Sequence, residues 1–463
     1  MMFEHLMKGL ARKGHQVDVI STFPLKKPYP NYRDMIVLPT HREFMNNLTF
    51  NDMNDMIVSA STAVATFGGT EVCQHLADSR IQDLVKNPPK DPPYDVVLME
   101  VFGANCFAAI AYLLKLPLVG VSSSVLYPWH HDLIGNPENL AFAPNNILPF
   151  PQRMSFWQRT YNLVHTIYHK LNFNYHTSTQ TEIIRKYLSE DLPDIRTIEK
   201  YVSLILSNSY ISLNGIKDMT PGLIEVGGLH VQEEGVELPA SLEKWMNEST
   251  NGFVYFTFGS MVKIESFPLK FQEIFFKSLG KITPVRVLIK IVNPNELSVE
   301  LPKNIHTSSW IPQVKVLKHP NIKAFITHGG LMGTQEALHY GVPLIGLDLY
   351  TLTEEKMDNV LNTILRDPTY RETARKFSKK FLDRPLSAID TAVYWIEYIV
   401  RHGGDALRSP STELTWWQVQ LLDVYLFFVA VTLLLIYLLI AAVRYIFSLI
   451  NVEQNVSHKK KIS

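Results

Sequence analysis

The sequence predicts an α/β chain of two halves, each built on a parallel sheet, followed by a single membrane-crossing helix. Three observations lead there. Short, nearly continuous apolar runs recur, among them Tyr94–Glu100, Leu116–Ser124, Val202–Ser207 and Phe253–Phe258, with helical spacing between them. Strands buried on both faces and alternating with helices belong to parallel sheets. Another run, Lys323–Thr327, stops at His328-Gly329-Gly330 and passes straight into a helical pattern, the strand–turn–helix unit of doubly wound folds. Last, Val424–Val443 holds twenty residues without a charge, enough to cross a hydrocarbon core of about 30 Å.

Taken in order, MMFEHLMKGLARKGHQVDVIS reads as an amphipathic helix ending at Gly14 and a strand at Val17–Ser21. No basic-then-apolar signal segment opens it, so a chain starting at Met1 is expected to insert by its C-terminal helix and leave the rest in the cytosol. Residues 31–90 alternate helical runs and turns, ending in the proline-rich loop Asn87–Pro93. Tyr94–Glu100 is a strand with a carboxylate at its C-terminal tip. After the strand Leu116–Ser124, its serines and Trp129-His130-His131 are candidates to border a pocket. Residues 154–187 are helical, with Trp157, Tyr161, Val164, Tyr168 and Leu171 on one face, a stripe that reads as packed core with a binding surface as the alternative.

Val202–Ser207 closes a first domain over residues 1–210. A second, 211–410, carries the strands Phe253–Phe258, Pro284–Lys290 and Ile305–Ser308 and the unit at 323–343. Thr353–Arg401 is helical. Trp416-Trp417 form an interfacial belt before the span at 424–443, and the basic tail 444–463, with Arg444, Lys459, Lys460 and Lys461, marks the cytosolic side. Its last four residues, KKIS, fit either a retrieval signal or a solvated basic end.

Lys plus Arg equals Asp plus Glu at 44 each, so no global field points to nucleic acid. The two cysteines, Cys73 and Cys106, give no metal spacing and no disulfide framework, and two buried thiols are expected. No Asp-x-Asp pair occurs, which speaks against a metal-held diphosphate, and no metal or cofactor site is expected.

Chemistry gathers at Trp310–Pro343. A helix that starts at a glycine turn on the carboxyl edge of a sheet offers free N–H groups and its positive dipole end to an anion. Gly329 and Gly330 let a diphosphate approach the backbone, His328 can add a hydrogen bond, and Glu336, about two turns in, can accept from ribose hydroxyls. On these residues alone, a nucleotide-diphosphate site and an ordinary glycine-containing turn both remain open.

The wider wording decides. WIPQ at 310–313, HPNIKAFITHGG at 319–330, GVP at 341–343, FVYFTFGSM at 253–261, LIEVGGLH at 223–230 and RKFSKKFLDRPLSAIDTAVYWIEYIVRHGG at 375–404 resemble the UDP-glycosyltransferases, in particular the membrane-bound UDP-glucuronosyltransferase-like family of animals. The resemblance runs over nearly the whole chain. It implies two Rossmann-like domains facing across a cleft (the GT-B fold) and metal-independent, inverting transfer from UDP-glucose or UDP-glucuronic acid to a small lipophilic acceptor. It also implies an endoplasmic-reticulum membrane protein of detoxification with one span, a cytosolic C-terminus and glycosylated luminal domains, acceptors Asn47 and Asn247. Association with itself or with relatives is compatible. By position, Trp310 would stack on uracil and Gln313 sit against the nucleoside. Ser260, His328, Gly329, Gly330 and Thr334 would meet the phosphates, and Glu336 the ribose. Glu100 would be the acid that orients a catalytic histidine.

Three departures stand beside the match. The family's histidine precedes the opening helix, and neither His5 nor His15 replaces it. Met332 stands where family members often carry Asn. After Gly346 about two dozen family residues, including an Asp-Gln pair that holds the donor sugar, give way directly to Leu347-Asp348, so Asp348 is not that aspartate. The missing helix there would leave part of the second sheet uncovered. An alternative reading is therefore a catalytically impaired splice or gene-model variant that at most binds UDP or a partner at the membrane, or a membrane-anchored scaffold with neither ligand nor activity.

Overall fold

A computed structural model describes residues 2–40, 45–53 and 60–460, with side chains to Ser448. Residues 41–44 and 54–59 of the 31–90 reading and 461–463 of the basic tail lie outside the described residues, as does Met1. The chain divides into two compact units, Met1–Arg408 and Ser409–Ser463.

The first unit holds three parallel sheets. β1 (Val17–Ser21) and β2 (Tyr32–Val37) pair on their own. β3 (Val97–Glu100), β4 (Leu118–Ser122), β5 (Val202–Ser207) and β6 (Leu223–Glu225) lie in sequence order. β7 (Phe253–Phe256), β8 (Arg286–Lys290), β9 (Ile305–Ser308), β10 (Ile322–Thr327) and β11 (Leu344–Gly346) are ordered β11-β10-β7-β8-β9. The central strands β4, β5 and β7 are buried at every residue, as continuous apolar runs require. Because all neighbours are parallel, each large sheet gathers its carboxyl ends at one edge.

The Ala388–His402 helix packs on the β3–β6 sheet rather than on the β7–β11 sheet. Its Val393, Ile396 and Ile399 join Met2, Leu6 and Leu10 of the opening helix over Val119, Val121, Leu204 and Leu206. Each such side chain contributes about 1.5–3 kcal/mol by leaving water. In the second unit, the Leu422–Lys460 helix contains Leu422–Ser448, long and apolar enough to cross a membrane and unburied along its length. It extends past the expected 424–443.

Five expectations are corrected. Tyr32–Val37 is a strand, not a helix or turn. Its burial follows no clean alternation, because only β1 flanks it and Arg33 reaches sideways to Asp18 (2.5 Å). Cys73 and Cys106 are not thiols but form a disulfide with Cα atoms 6.0 Å apart, because the turn at Val72–Ala77 folds against the one at Asn105–Phe107. The stripe on the Phe156–Thr177 helix faces out: Trp157 is 76% exposed and Leu171 65%, while Asn162, Thr166, His169 and Phe173 are the buried side. Polar groups go inside here because they find partners, Asn162 donating to Leu140 and Ala143 carbonyls at 3.1 Å. The second sheet is not left uncovered beyond Gly346. The Glu354–Arg366 helix brings Met357 and Leu361, with Leu352, onto Ile326 and Ile345.

Last, Trp129-His130-His131 are not among the residues that line the cavity at the carboxyl edges of the sheets. Trp129 is buried between Tyr127 and Phe173, its centroid 4.9 and 4.4 Å from theirs, and both Trp129 and His130 bond the Phe102 carbonyl.

Candidate functional site

The carboxyl edges of the two large sheets line one cavity of about 3160 Å³. From the first sheet come Glu100 at the end of β3 and Ser123 just after β4. From the second come the turns that follow β7, β9 and β10, with Lys290 at the end of β8.

The turn after β10 is built by glycine. Gly329 has φ +82° and Gly330 begins the Leu331–Tyr340 helix, which no side chain caps. The first N–H groups of that helix are therefore left to an anion or to water. His328 lies across this turn: a Cβ on Gly330 would meet its Nε2 at 2.5 Å. One on Gly259, itself at φ +86° after β7, would meet its Cε1 at 3.1 Å. Neither glycine can gain a side chain without displacing the imidazole. Desolvation lowers the pKa of His328 below the usual histidine range, so at neutral pH it is an uncharged hydrogen-bonding group.

Behind the turn lies a buried polar chain. The Gln313 amide donates to Glu336 Oε2 at 2.6 Å, and the Tyr255 hydroxyl donates to Gln313 Oε1 at 3.1 Å. His230 Nε2 donates to the Met332 carbonyl at 3.1 Å and stands 3.5 Å from Glu336 Oε1. That last spacing is an ion pair's, but burial pushes Glu336 up to about 7 and His230 down to about 4. Little charge is therefore exchanged. Glu336 is only 1% exposed, yet with Gln313 it borders the cavity. Trp310, 49% exposed, lies at the rim beside Gln313 in sequence.

Of the residues singled out from the sequence, Glu100, Ser260, Trp310, Gln313, His328, Gly330 and Glu336 share the cavity wall, whereas Gly329 and Thr334 are not among its lining residues. Glu100 accepts a hydrogen bond from the Ser123 hydroxyl at 3.2 Å. Its carboxylate is open to solvent at the tip of β3, and no histidine bonds it among the described residues. Asp348 lies outside the lining, its carboxylate spent on its own turn at Tyr350 and Thr351. Sequence reasoning assigned no role to His230, Tyr255 or Lys290. Of these, His230 was within reach as a histidine in an otherwise apolar Gly-Gly-Leu-His-Val stretch.

The family model described as "UDP-glucoronosyl and UDP-glucosyl transferase" matches residues 11–351 and 345–457. The two stretches meet where the sequence departs after Gly346. UDP-glucosyltransferase 2 of Dactylopius coccus is 33% identical over 452 residues, covering 92% of this chain and 86% of its own. Human UDP-glucuronosyltransferase 1A9 is 29% identical over 369 residues, 74% of this chain and 68% of its own. Among solved structures, the spinosyn forosaminyltransferase SpnP superposes with a TM-score of 0.53 at 16% identity, covering 86% of this chain and 94% of that one. Arabidopsis thaliana UGT89C1 gives 0.53 at 14%, with 86% and 96% covered. At these identities the structures speak for the fold, which is GT-B.

Proposed function

Because the chain belongs to the UDP-glucuronosyl and UDP-glucosyl transferase family, we propose that its cavity binds a UDP-sugar against the second sheet and transfers the sugar to a small lipophilic acceptor held near Glu100. The observation that carries this reading is the convergence of His328, Gly330, Ser260 and the Gln313–Glu336 pair on one wall of the cavity. In this reading Trp310 stacks on uracil and Gln313 and Glu336 take the nucleoside. Ser260, His328 and the N–H groups from Gly330 onward meet the diphosphate, with Gly329 setting the turn and Thr334 one turn further in.

The acceptor oxygen attacks the anomeric carbon from the face opposite UDP, which inverts that centre. Negative charge grows on the departing diphosphate, where the helix N-terminus and the His328 hydrogen bond stabilise it. On the acceptor side, Glu100 at the end of β3 is the carboxylate placed to receive the proton that the acceptor oxygen releases. With no Asp-x-Asp pair in the sequence, the transfer is read as metal-independent, and UDP-glucose or UDP-glucuronic acid is a co-substrate rather than a cofactor.

The membrane is the endoplasmic reticulum in this reading. The Cys73–Cys106 disulfide belongs to an oxidising lumen, and the basic tail to the cytosol. Two body residues with acceptor sequons, Asn47 and Asn247, are exposed.

A second reading is a UDP-binding protein impaired in transfer. It is favoured by the direct run from Gly346 to Leu347-Asp348 and by the position of Asp348 outside the cavity.

Titration calorimetry with UDP on the full chain in detergent, alongside turnover of both UDP-sugars over a phenolic acceptor panel, separates the readings. His328→Ala is expected to weaken UDP binding by about 1–3 kcal/mol, the value of a hydrogen bond to a charged group. Unchanged affinity would make that turn purely structural.

A further inference from the structure

A diphosphate carries at least two negative charges, and the groups assigned to it above are neutral: hydroxyls, N–H groups and an uncharged His328. Among the described cavity-lining residues that the second half contributes, from Glu234 to Glu336, Lys290 is the only lysine or arginine. It ends β8, is 5% exposed, and donates from Nζ to the Gly259 carbonyl at 2.7 Å. An ammonium has three N–H donors. Among the described residues Gly259 is the one hydrogen-bond acceptor recorded for Lys290, which leaves two donors at the cavity wall.

Gly259 ties this amine to the rest of the site. It accepts from Lys290 through its carbonyl, a Cβ added to it would meet the His328 Cε1 at 3.1 Å, and Ser260 follows it directly. The amine is held in place from behind. Glu265, 4% exposed, accepts from the N–H groups of Val292 and Asn293 at 3.0 and 2.9 Å, fixing the segment that leaves β8, while its field supports the lysine's charge. Glu265 forms no direct ion pair with Lys290 among the described residues, so the ammonium is not neutralised by a contact partner. Burial brings Lys290 down to about 8, which leaves it mostly protonated at neutral pH.

Building on the proposed function, we propose that Lys290 is the diphosphate-binding cation of this site, contacting the phosphate oxygens of the bound UDP-sugar and of the departing UDP. The charge of a nucleoside diphosphate is then met by one buried ammonium, and the affinity gap between UDP and uridine depends on it.

Calorimetry on the full chain in detergent with uridine, UMP and UDP tests this. Lys290→Met keeps the aliphatic stem, and the Gly259 carbonyl keeps its bond from the Thr257 hydroxyl at 3.2 Å. Lys290→Met is expected to weaken UDP roughly 10- to 100-fold while leaving uridine within about twofold. Lys290→Arg is expected to recover most of the UDP affinity and its dependence on salt. Melting of each variant without ligand reports folding separately. Equal losses for uridine and UDP, or no loss for either, would overturn the assignment. Wild-type protein that binds uridine and UDP alike would also overturn it, whereas wild-type protein that binds neither would overturn the proposed function itself.

Discussion

Replacing Cys73 and Cys106 together by alanine is expected to destabilise the Met1–Arg408 unit by about 2–5 kcal/mol. The bond joins residues 33 apart, and a loop of that length costs the reduced, unfolded chain about 3–4 kcal/mol of extra entropy when folding closes it. Set against a net stability of about 5–15 kcal/mol, this is a large fraction. The consequence reaches the site, because Val72, His75, Ala104 and Phe107, neighbours of the two cysteines, line the cavity. Chemical denaturation of wild type, double variant and reduced wild type measures it. The last two should coincide below the first, and three superimposed curves would show that the bond carries no stability.

Glu336→Gln is expected to stabilise the ligand-free protein at neutral and alkaline pH while weakening its hold on UDP. The folded-state pKa of Glu336 is raised from 4.5 to about 7 by burial. Stability from the neutral carboxyl is therefore fully present below about 4.5 and lost as pH rises through about 7. At 1.36 kcal/mol per unit, the loss amounts to about 3 kcal/mol. His230 runs the other way: lowered to about 4, its contribution is present above about 6.5 and lost as pH falls through about 4. The two slopes oppose one another in wild type, so the informative quantity is the difference between variant and wild type, in which His230 cancels. That difference should grow by about 3 kcal/mol between pH 4.5 and 8 in denaturation series. Parallel profiles would mean that the carboxyl titrates normally. A group that costs stability when unliganded is what a site designed to meet ribose hydroxyls would contain.

The sequence made visible whatever depends on local pattern. Val202–Ser207 and Phe253–Phe256 are strands because short, mostly apolar runs can be buried on both faces, and the Leu331–Tyr340 helix starts at Gly330 and stops at Gly341, as its punctuation requires. What stayed hidden was contact across long separations. His230 meets Met332 over 102 residues, and Cys73 meets Cys106 only once two turns have packed together. The stripe on Phe156–Thr177 was misjudged because period identifies two faces of a helix without saying which one turns inward. Here Asn162 and His169 took the inner face. At the site, Ser260, Trp310, Gln313, His328, Gly330 and Glu336 line the cavity while Gly329 and Thr334 do not, and the Gln313–Glu336 bond and the position of Lys290 needed coordinates.

That outward-turned stripe also governs how the protein behaves once extracted. Cutting the chain after Arg408 removes the long apolar helix but leaves Phe156, Trp157, Tyr161, Leu163, Val164, Ile167, Tyr168, Leu171 and Tyr175 open to solvent along a single helix. Contiguous apolar surface of that kind drives colloidal association. The shortened protein is therefore expected to need detergent, and to elute as broad aggregates without it. Changing Trp157, Val164, Tyr168 and Leu171 to glutamine or lysine should give a narrow, monodisperse peak in plain buffer on a light-scattering column. If the shortened wild type already elutes that way, its insolubility problem ends with the span.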